Sequence, residues 1–383
     1  MAKKFFNGVY EGRRVFVTGA SGFKGSWLCH WLTDLGARVT GFSLYLPSNP
    51  CHFEVIGLSD RIRHVSGDVR KLGELCKAMS EAKPEIVFHL AAQPIVRASY
   101  DEPVKTFETN LLGTVNVLET IRHLTSVRAS VIVTSDKCYE NVEQRHGYRE
   151  TDRLGGKDPY SASKACAEIA FSAYARSFFQ SPAKVHGRIG KRKMSANSLF
   201  VASARAGNVL GGGDWAKDRV VPDCVRSWAK GRSPVLRNPT STRPWQHVLE
   251  PISGYLWLGA RLFRGGYRLH GQAFNFGPAT EVNESVESLI ENLRLFWPGA
   301  APAEIARDRR GKTEAGLLRL DCRKAAKELS WRPTLSFRET AQFTASWYRS
   351  YLADRSNARQ LTGEQIIAFT DLAEKRKLAW AAR

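Results

Sequence analysis

Long apolar runs, secretory features and paired cysteines are all missing from this sequence. No run of eighteen or more apolar residues occurs in the 383 residues, so no membrane-spanning helix is expected. The first ten residues lack an apolar stretch followed by a small-residue cleavage site, so no secretory signal is expected. The seven cysteines are scattered and contain no C-x-x-C pair, which predicts reduced thiols and argues against a zinc site or a disulfide framework. We therefore expect a cytoplasmic protein without a bound metal or a membrane partner.

Acidic residues are few relative to basic ones. Lys and Arg number 57 and Asp and Glu number 37, which gives a net charge of +20. Such a charge is typical of nucleic-acid-binding proteins, or of an enzyme whose basic surface steers an anionic substrate into a cleft. The densest basic run, residues 184–193, contains no aromatic residue and so lacks the stacking platforms of a single-strand binder. We expect a solvated loop there, an anionic substrate and no nucleic-acid partner.

Short apolar runs alternate with helix-like patterns over the first half of the chain. Strands that alternate with helices form βαβ units, and right-handed crossovers wind these into a Rossmann-type doubly wound parallel sheet. The pattern predicts an α/β fold with a smaller C-terminal substrate-binding lobe. The predicted strands are 15–17, 38–44, 61–65, 85–90, 129–134, 199–206 and 273–276, and the predicted helices are 23–35, 104–124 and 158–178.

The pattern becomes looser and richer in Gly and Pro after about residue 180. We expect a dinucleotide-binding domain over residues 8–180, to which 198–210 and 245–278 partly return. Residues 181–355 are expected to form mainly the substrate-binding lobe, and 356–383 a C-terminal tail.

Three glycines, Gly19, Gly22 and Gly25, stand between the first predicted strand and the first predicted helix. Glycines let the backbone turn tightly against a pyrophosphate, and the helix N-terminus offers free N–H groups, so a dinucleotide site is predicted. The position about twenty residues further on, where an acid usually contacts the ribose, holds Ser43, which leaves NAD and NADP open. Asp68 is expected either to cap a helix or to contact the adenine.

Tyr160 and Lys164 have the Y-x-x-x-K spacing, which places both side chains on one face of a helix. A nearby ammonium favours the phenolate, so Lys164 is expected to lower the pKa of Tyr160 toward neutrality. Such a phenolate is a general base that takes a proton from a sugar hydroxyl while hydride leaves the same carbon. The alternative is a pair of ordinary helix residues.

The stretch T-S-D-K-C-Y-E places Asp136 and Lys137 at the end of an apolar strand. A strand-end ion pair is the structural interpretation. The catalytic interpretation is an acid and a base that act in the same cleft.

These motifs resemble those of the extended short-chain dehydrogenase/reductase family, together with H-L-A-A-Q at 89–93 and N-L-L-G-T at 110–114. The resemblance narrows to the nucleotide-sugar 4,6-dehydratases through four further stretches. These are T-S-D-K-C-Y-E-N, the loop 205–223, R-P-W-Q-H-V-L-E-P at 243–251, and L-S-W-R-P at 329–333.

The resemblance implies an NAD-dependent hydro-lyase that acts on CDP-glucose. Carbon 4 of the sugar is oxidised, water is eliminated across carbons 5 and 6, and hydride returns to carbon 6. By this resemblance Thr134 contacts the carbon-4 oxygen, Asp136 is the acid, and Lys137 is the carbon-5 base or a cation that stabilises the enolate. A nucleotide-sugar 4-epimerase, a dehydratase for another NDP-glucose, and a non-catalytic nucleic-acid-binding protein remain as alternatives.

The resemblance also assigns binding residues. Guanidinium groups bind phosphate oxygens in bidentate fashion, which suits Arg219, Arg243 and Arg205 to a diphosphate. The helices 104–124 and 158–178 are expected to form the subunit interface of a homodimer, or of a tetramer. The remaining implied contacts are Phe23, Val69, Ala91, Ala92 and Asn110 for the cofactor, and Gln93, Asn208, Asp214, Trp215, His247 and Glu314 for the substrate.

Overall fold

A seven-stranded parallel sheet forms the centre of the molecule. The computed structural model describes residues 5–144, 146–179, 198–217, 219–279, 282–306 and 317–382. The strands lie in the order β7-β6-β5-β4-β1-β2-β3, and each neighbouring pair is parallel. The strands are β1 (Arg14–Thr18), β2 (Arg38–Ser43), β3 (Arg63–Ser66), β4 (Ile86–His89), β5 (Ala129–Val133), β6 (Phe200–Ala206) and β7 (Ala273–Phe276).

Helices cover both faces of this sheet, and the strand residues alternate between two apolar cores. The helices are α1 (Phe23–Asp34), α2 (His52–Val55), α3 (Leu72–Ala82), α4 (Val96–Asp101), α5 (Pro103–Phe107), α6 (Gly113–Arg122), α7 (Pro159–Ser177), α8 (Val220–Trp228), α9 (Leu249–Phe263), α10 (Val286–Arg294), α11 (Phe337–Ala353) and α12 (Ala358–Lys375). Val15 and Val17 pack into the core that contains α1, α9, α11 and α12, whereas Phe16 packs into the core that contains α3, α6 and α7.

The connections explain why the strands are apolar on both sides. A parallel sheet needs crossovers, and the crossover helices bury both faces, so the strands read as continuous apolar runs. The predicted α/β fold and doubly wound parallel sheet are confirmed. The predicted helix 104–124 is present as α5 and α6 joined by a π-helical turn, Glu108–Leu112.

Three short strand pairs lie outside the central sheet, after β6. They bring together segments of the Gly- and Pro-rich loops that are far apart in sequence. The pairs are Val209–Leu210 with Gln246–His247, Thr242–Arg243 with Glu284–Ser285, and Val235–Leu236 with Glu304–Ile305.

The residues predicted as a C-terminal tail are part of the packed structure. Helix α12 packs against α1 and α11, and the following turn buries Trp380 completely. The Trp380 ring stacks on Phe6 with 5.2 Å between centroids and on Phe369 with 5.7 Å. Among the helices of the described ranges, none has the length and apolarity that a membrane crossing needs.

Candidate active site

The candidate site lies at the carboxyl edge of the sheet, where the strand order reverses between β1 and β4. In open parallel sheets ligands bind in the crevice at such a switch point. Helix α7 and the ends of β4, β5 and β6 surround this crevice with the predicted catalytic side chains.

The backbone of the glycine turn after β1 packs so tightly against neighbouring backbone atoms that Gly19 and Gly25 have no room for a side chain. A Cβ on Gly19 would lie 2.7 Å from the backbone nitrogen of Ala91, and a Cβ on Gly25 would lie 2.0 Å from the Gly19 carbonyl oxygen. Gly19 also has a φ of +73°, which favours glycine. Helix α1 then begins at Phe23 with no side-chain cap, so its first N–H groups are free for an anion. The turn therefore fits a dinucleotide pyrophosphate.

Two residues predicted to contact the nucleotide support the turn or bind a neighbouring side chain. Ser43 lies at the end of β2, and its hydroxyl oxygen accepts a hydrogen bond of 2.9 Å from the Ser21 backbone N–H. The Asp68 carboxylate forms an ion pair with Arg70, with 2.6 Å between the nearest atoms. Neither residue caps a helix, and Arg70 brings a guanidinium to the end of β3.

Gln93, predicted to contact the substrate, and Asn110, predicted to contact the cofactor, form a hydrogen-bonded brace near β4. The Gln93 N–H donates to Asn110 Oδ1 at 2.8 Å, and Asn110 Nδ2 donates to Ser163 Oγ at 2.9 Å. The Gln93 side chain also bonds to the backbone of Ile95. Both amides are thus engaged within the protein, and they join the loop after β4, which contains Ala92, to helix α7.

Other predicted cofactor contacts pack against this frame. The Ala91 N–H donates to Thr18 Oγ1 at 3.2 Å, which holds the loop beside the glycine turn. Val69 is buried, and its side chain would lie 2.8 Å from a Cβ on Gly113. The Phe23 ring would lie 3.3 Å from a Cβ on Gly211, so the glycine turn touches the loop after β6.

Helix α7 carries Tyr160 and Lys164 one turn apart, and both side chains are buried. Asp158 caps the helix by accepting a 2.9 Å hydrogen bond from the Ser161 N–H, and Pro159 occupies the first turn. Burial lowers the pKa of Lys164 to about 8, and the Glu168 carboxylate opposes this shift.

The pKa of the Tyr160 phenol differs from the value expected from the sequence. Burial raises its pKa to about 12, although a hydrogen bond with Ser135 and the charge of Arg219 lower it in part. The protein alone therefore does not lower the pKa of Tyr160 toward neutrality as predicted, because the loss of water around the phenolate outweighs the favourable interactions.

Two neighbouring hydroxyls at the end of β5 point in different directions. The Thr134 hydroxyl donates to Glu168 Oε1 at 2.5 Å, away from the tyrosine. The Ser135 hydroxyl lies within hydrogen-bonding reach of Tyr160 and donates to Asp136 Oδ1 at 2.9 Å. Ser135, which the sequence interpretation did not select, is therefore the hydroxyl beside the phenol.

Asp136 begins a 3₁₀ turn and is only 2% exposed. Its Oδ2 atom is buried without a hydrogen-bond partner in the part of the chain that the structure describes, and the same holds for Asn208 Oδ1. Buried polar atoms are almost always paired, so these acceptors indicate a ligand site. Among the described residues, no ion pair joins Asp136 to Lys137. This does not favour the interpretation of the motif as a strand-end ion pair.

A third lysine, Lys24, faces the same site from the glycine turn. Burial lowers its pKa to about 8, the charge of Asp136 raises it in part, and Arg219 and Lys164 lower it. Lys24 is not among the residues predicted from the sequence, although a cation between two glycines of the turn, Gly22 and Gly25, is visible there.

The loop after β6 is held by aromatic side chains of α11. Trp215 lies 5.2 Å from the Tyr351 ring, and the Tyr348 hydroxyl donates to the Asp214 carbonyl oxygen at 2.5 Å. Arg219 forms a 2.7 Å ion pair with the Asp214 carboxylate and keeps a third of its side chain exposed. This arrangement leaves Arg219 able to contact an anion as well.

Three other predicted substrate residues have different surroundings. Arg205 is fully buried in an ion pair with Glu168, so it does not reach a diphosphate. His247 is fully buried, and its ring contacts those of Trp27 and Phe343. Arg243 is buried and donates to the Thr242 carbonyl oxygen at 2.8 Å. Glu314 lies outside the described residues.

Comparison with known proteins identifies the family. Residues 16–344 match the family model of GDP-mannose 4,6-dehydratase. The chain belongs to this family. It is 44% identical over 343 residues to the CDP-glucose 4,6-dehydratase of Salmonella typhimurium, which covers 90% of this chain and 92% of that protein. It is also 29% identical to the dTDP-glucose 4,6-dehydratase of Streptomyces antibioticus, over 88% of this chain and 92% of that protein.

Solved structures share the fold. A dTDP-glucose 4,6-dehydratase from Streptomyces venezuelae, solved with NAD bound, has a TM-score of 0.69 and 24% identity, and covers 88% of this chain and 97% of that chain. The UDP-glucose 4-epimerase of Thermotoga maritima, solved with UDP-glucose, has a TM-score of 0.71 and 22% identity, over 88% and 99%. The predicted resemblance to the nucleotide-sugar 4,6-dehydratases is confirmed by the family model and by the 44% identical relative.

No group of three or more potential metal ligands is clustered in the described ranges.

Proposed function

We propose that the protein converts CDP-glucose to CDP-4-dehydro-6-deoxyglucose with NAD as cofactor. The observation that carries this proposal is the buried Asp136 carboxylate with an unpartnered oxygen, next to Lys137 and in one crevice with Tyr160. A 4-epimerase needs the tyrosine but has no water to expel, so it has no use for an additional acid and base at this position. The CDP-glucose preference is inferred from the 44% identical relative.

The residues fit a bound NAD. The glycine turn and the uncapped N-terminus of α1 would hold the pyrophosphate, and Lys164 would bind the nicotinamide ribose. When bound, NAD⁺ accepts hydride from carbon 4 of the sugar, gives it back to carbon 6, and adds a positive charge to the site.

Proton transfer at carbon 4 is assigned to Tyr160. Its phenolate takes the hydroxyl proton, and the Lys164 ammonium stabilises the phenolate. Ser135 lies beside the phenol and favours its charged form. We place Ser135, in preference to Thr134, beside the carbon-4 oxygen.

Elimination is assigned to the strand-end pair. Once carbon 4 is a ketone, the carbon-5 proton becomes acidic, and neutral Lys137 removes it. Protonated Asp136 gives its proton to the carbon-6 hydroxyl, the C–O bond breaks, and water leaves. The competing role for Lys137 is a protonated side chain that stabilises the enolate.

Binding of the diphosphate is assigned to Arg219 and, by the resemblance, also to Arg243, which lies in the short strand Thr242–Arg243. The exposed third of Arg219 leaves donors free for phosphate oxygens. We also retain the division into a dinucleotide-binding domain and a substrate-binding lobe after about residue 180.

We further propose a cytoplasmic homodimer formed through α5, α6 and α7. Apolar side chains are exposed on or beside these helices: Tyr100, Val104, Leu112 and Ile169 are 44%, 71%, 51% and 57% exposed. A second copy would cover them, as expected for a self-complementary interface. Light scattering after chromatography tests this: Ile169→Glu should yield monomers, and an unchanged mass would contradict the proposal.

The decisive experiment is incubation with CDP-, dTDP-, UDP- and GDP-glucose, with products identified by mass spectrometry. Loss of one water from CDP-glucose without net NADH supports the proposal, and a product of unchanged mass with galacto configuration would indicate an epimerase instead. Tyr160→Phe should abolish oxidation. Lys137→Ala should accumulate NADH slowly, whereas the exposed Lys77→Ala should turn over normally; normal turnover of Lys137→Ala would remove that residue from the mechanism.

A further inference from the structure

A buried carboxylate lies beneath the catalytic helix and takes no part in the steps above. Glu168 is on α7, one turn after Lys164, and is 2% exposed. Its Oε1 accepts from Thr134 at 2.5 Å, and its Oε2 accepts from Ser203 at 2.9 Å and from Arg205 at 2.7 Å. All four side chains are buried, so the carboxylate is held in a single arrangement.

This network connects α7 to three strands. Thr134 is the residue after β5 and directly precedes Ser135 and Asp136. Arg205, on β6, also donates to the Tyr139 hydroxyl at 2.8 Å, and that hydroxyl donates to Asn275 on β7 at 2.8 Å. A shift of Glu168 would therefore move the strand end that carries the proposed acid.

The network also sets the electrostatic surroundings of Lys164. Burial disfavours the lysine cation, and the negative charge of Glu168 is the largest effect in the opposite direction. Within the ion pair of Glu168 and Arg205, the Glu168 carboxylate is the group that raises the pKa of Lys164. Other titratable and charged groups that face Lys164 from neighbouring elements are Lys24 on α1, His89 on β4 and Cys138 after β5. Tyr160 lies one turn before Lys164 on α7 itself.

We propose that Glu168 is a positioning residue of the reaction, which keeps Lys164 protonated. This inference rests on the proposed function, because the protonated Lys164 matters for the tyrosine base and for the cofactor ribose. A purely structural role would predict that every lost contact of Glu168 has the same effect. A charge role predicts that only the loss of the carboxylate changes the titration of Lys164.

The test compares variants that remove the charge with variants that remove hydrogen bonds. Glu168→Gln keeps the size of the side chain and loses the charge, and Glu168→Asp retains the charge. Thr134→Val and Ser203→Ala each remove one hydrogen bond and leave the carboxylate in place. Because Glu168→Gln leaves Arg205 buried without a counter-ion, Glu168→Gln with Arg205→Gln is the second variant if the single one does not fold.

Two readouts follow the proton on Lys164: the alkaline limb of the kcat–pH profile, and the pH at which NAD affinity falls in a tryptophan-fluorescence titration. In Glu168→Gln and in the double variant both should move to lower pH by about one unit, the scale of one lost charge interaction. Glu168→Asp should restore the limb. Thr134→Val and Ser203→Ala should lower Tm and leave the limb unchanged.

The proposal is overturned if Glu168→Gln, or the double variant in its place, keeps the wild-type limb. It is equally overturned if Thr134→Val and Ser203→Ala move the limb as far. If the wild-type protein dehydrates none of the nucleotide sugars, the proposed function fails, and the NAD titration alone still decides whether Glu168 controls Lys164.

Discussion

The two neighbouring hydroxyls at the end of β5 provide the sharpest test of the active-site geometry. Ser135→Ala removes a hydrogen bond to Asp136 and the interaction that lowers the pKa of Tyr160. A hydrogen bond to a group that becomes charged contributes ~1.5–3 kcal/mol. Since about 1.4 kcal/mol corresponds to a tenfold change in rate, kcat should fall by about 10- to 150-fold. KM should change little, whereas Tm should fall, because the buried Ser135 hydroxyl also accepts a hydrogen bond from the Lys137 N–H.

Thr134→Val is the matched variant, with nearly the same volume and no hydroxyl. It leaves Glu168 with one donor fewer in a buried site, which costs ~1–3 kcal/mol of folding stability. Its kcat should stay within about twofold of the wild-type value, the change that ~0.4 kcal/mol gives. The assay is product formation from saturating CDP-glucose, followed by the alkali-labile chromophore of the 4-keto sugar, with Tm from calorimetry. If Thr134→Val loses as much kcat as Ser135→Ala, the assignment of Ser135 is refuted.

Three further changes test the glycine turn and the C-terminal region. Gly25→Ala should weaken NAD binding at least about tenfold, because its Cβ would lie 2.0 Å from a carbonyl oxygen. In the control, Gly73→Ala, the new Cβ meets no atom within 4 Å, so this variant should bind NAD normally. A fluorescence titration measures both affinities. Lys24→Met should raise KM for CDP-glucose about tenfold, since a partly buried cation facing the site contributes ~1.5 kcal/mol to the binding of an anionic substrate. The exposed control, Lys77→Met, should leave KM unchanged. If Lys24→Met has the same KM as the wild-type protein, Lys24 does not belong to the site. Trp380→Ala should lower the free energy of unfolding by ~3–5 kcal/mol in urea titrations, because a fully buried indole is lost; a change below ~1 kcal/mol would mean that this turn adds little to the fold.

The sequence predicted the fold well because each element has a strong local signal. Buried parallel strands are short apolar runs, such as Ala129–Val133, and the glycine turn has no room for a Cβ. The spacing of Tyr160 and Lys164 similarly predicts a shared helix face without any tertiary information. These parts of the site depend on periodicity and on backbone shape, which the sequence shows directly.

The directions of individual side chains were harder to predict. Adjacent residues in an extended segment point to opposite sides, so only one of Thr134 and Ser135 can face Tyr160. The alternation does not say which one, because that depends on the position of α7 relative to β5. The partner of Thr134 is Glu168, 34 positions away, and no local pattern reveals that contact.

Charge balance in the crevice explains why some predicted arginines are available to a substrate and others are not. Arg205 is neutralised by Glu168 beneath α7, whereas Arg219 shares its charge between Asp214 and the open crevice. Both arginines lie in one specific stretch of sequence, and only burial distinguishes them. A guanidinium that is 4% exposed and paired has no donor available to a substrate, and one that is 33% exposed can also bind phosphate.

The motifs that are most specific for the family are not all substrate contacts. In L-S-W-R-P, the Trp331 indole N–H donates to Ser253 Oγ at 2.9 Å, and the Leu329 carbonyl oxygen accepts from the Trp257 indole at 2.7 Å. The buried Glu250 carboxylate accepts from the Thr334 N–H, so the segment is fastened along its length to α9. Because α9 packs directly against β5 and β6, this bracing holds the strands that carry Asp136 and Asn208. A family-specific motif can therefore be needed for the reaction through the position of the strands, without a single atom in contact with the nucleotide sugar.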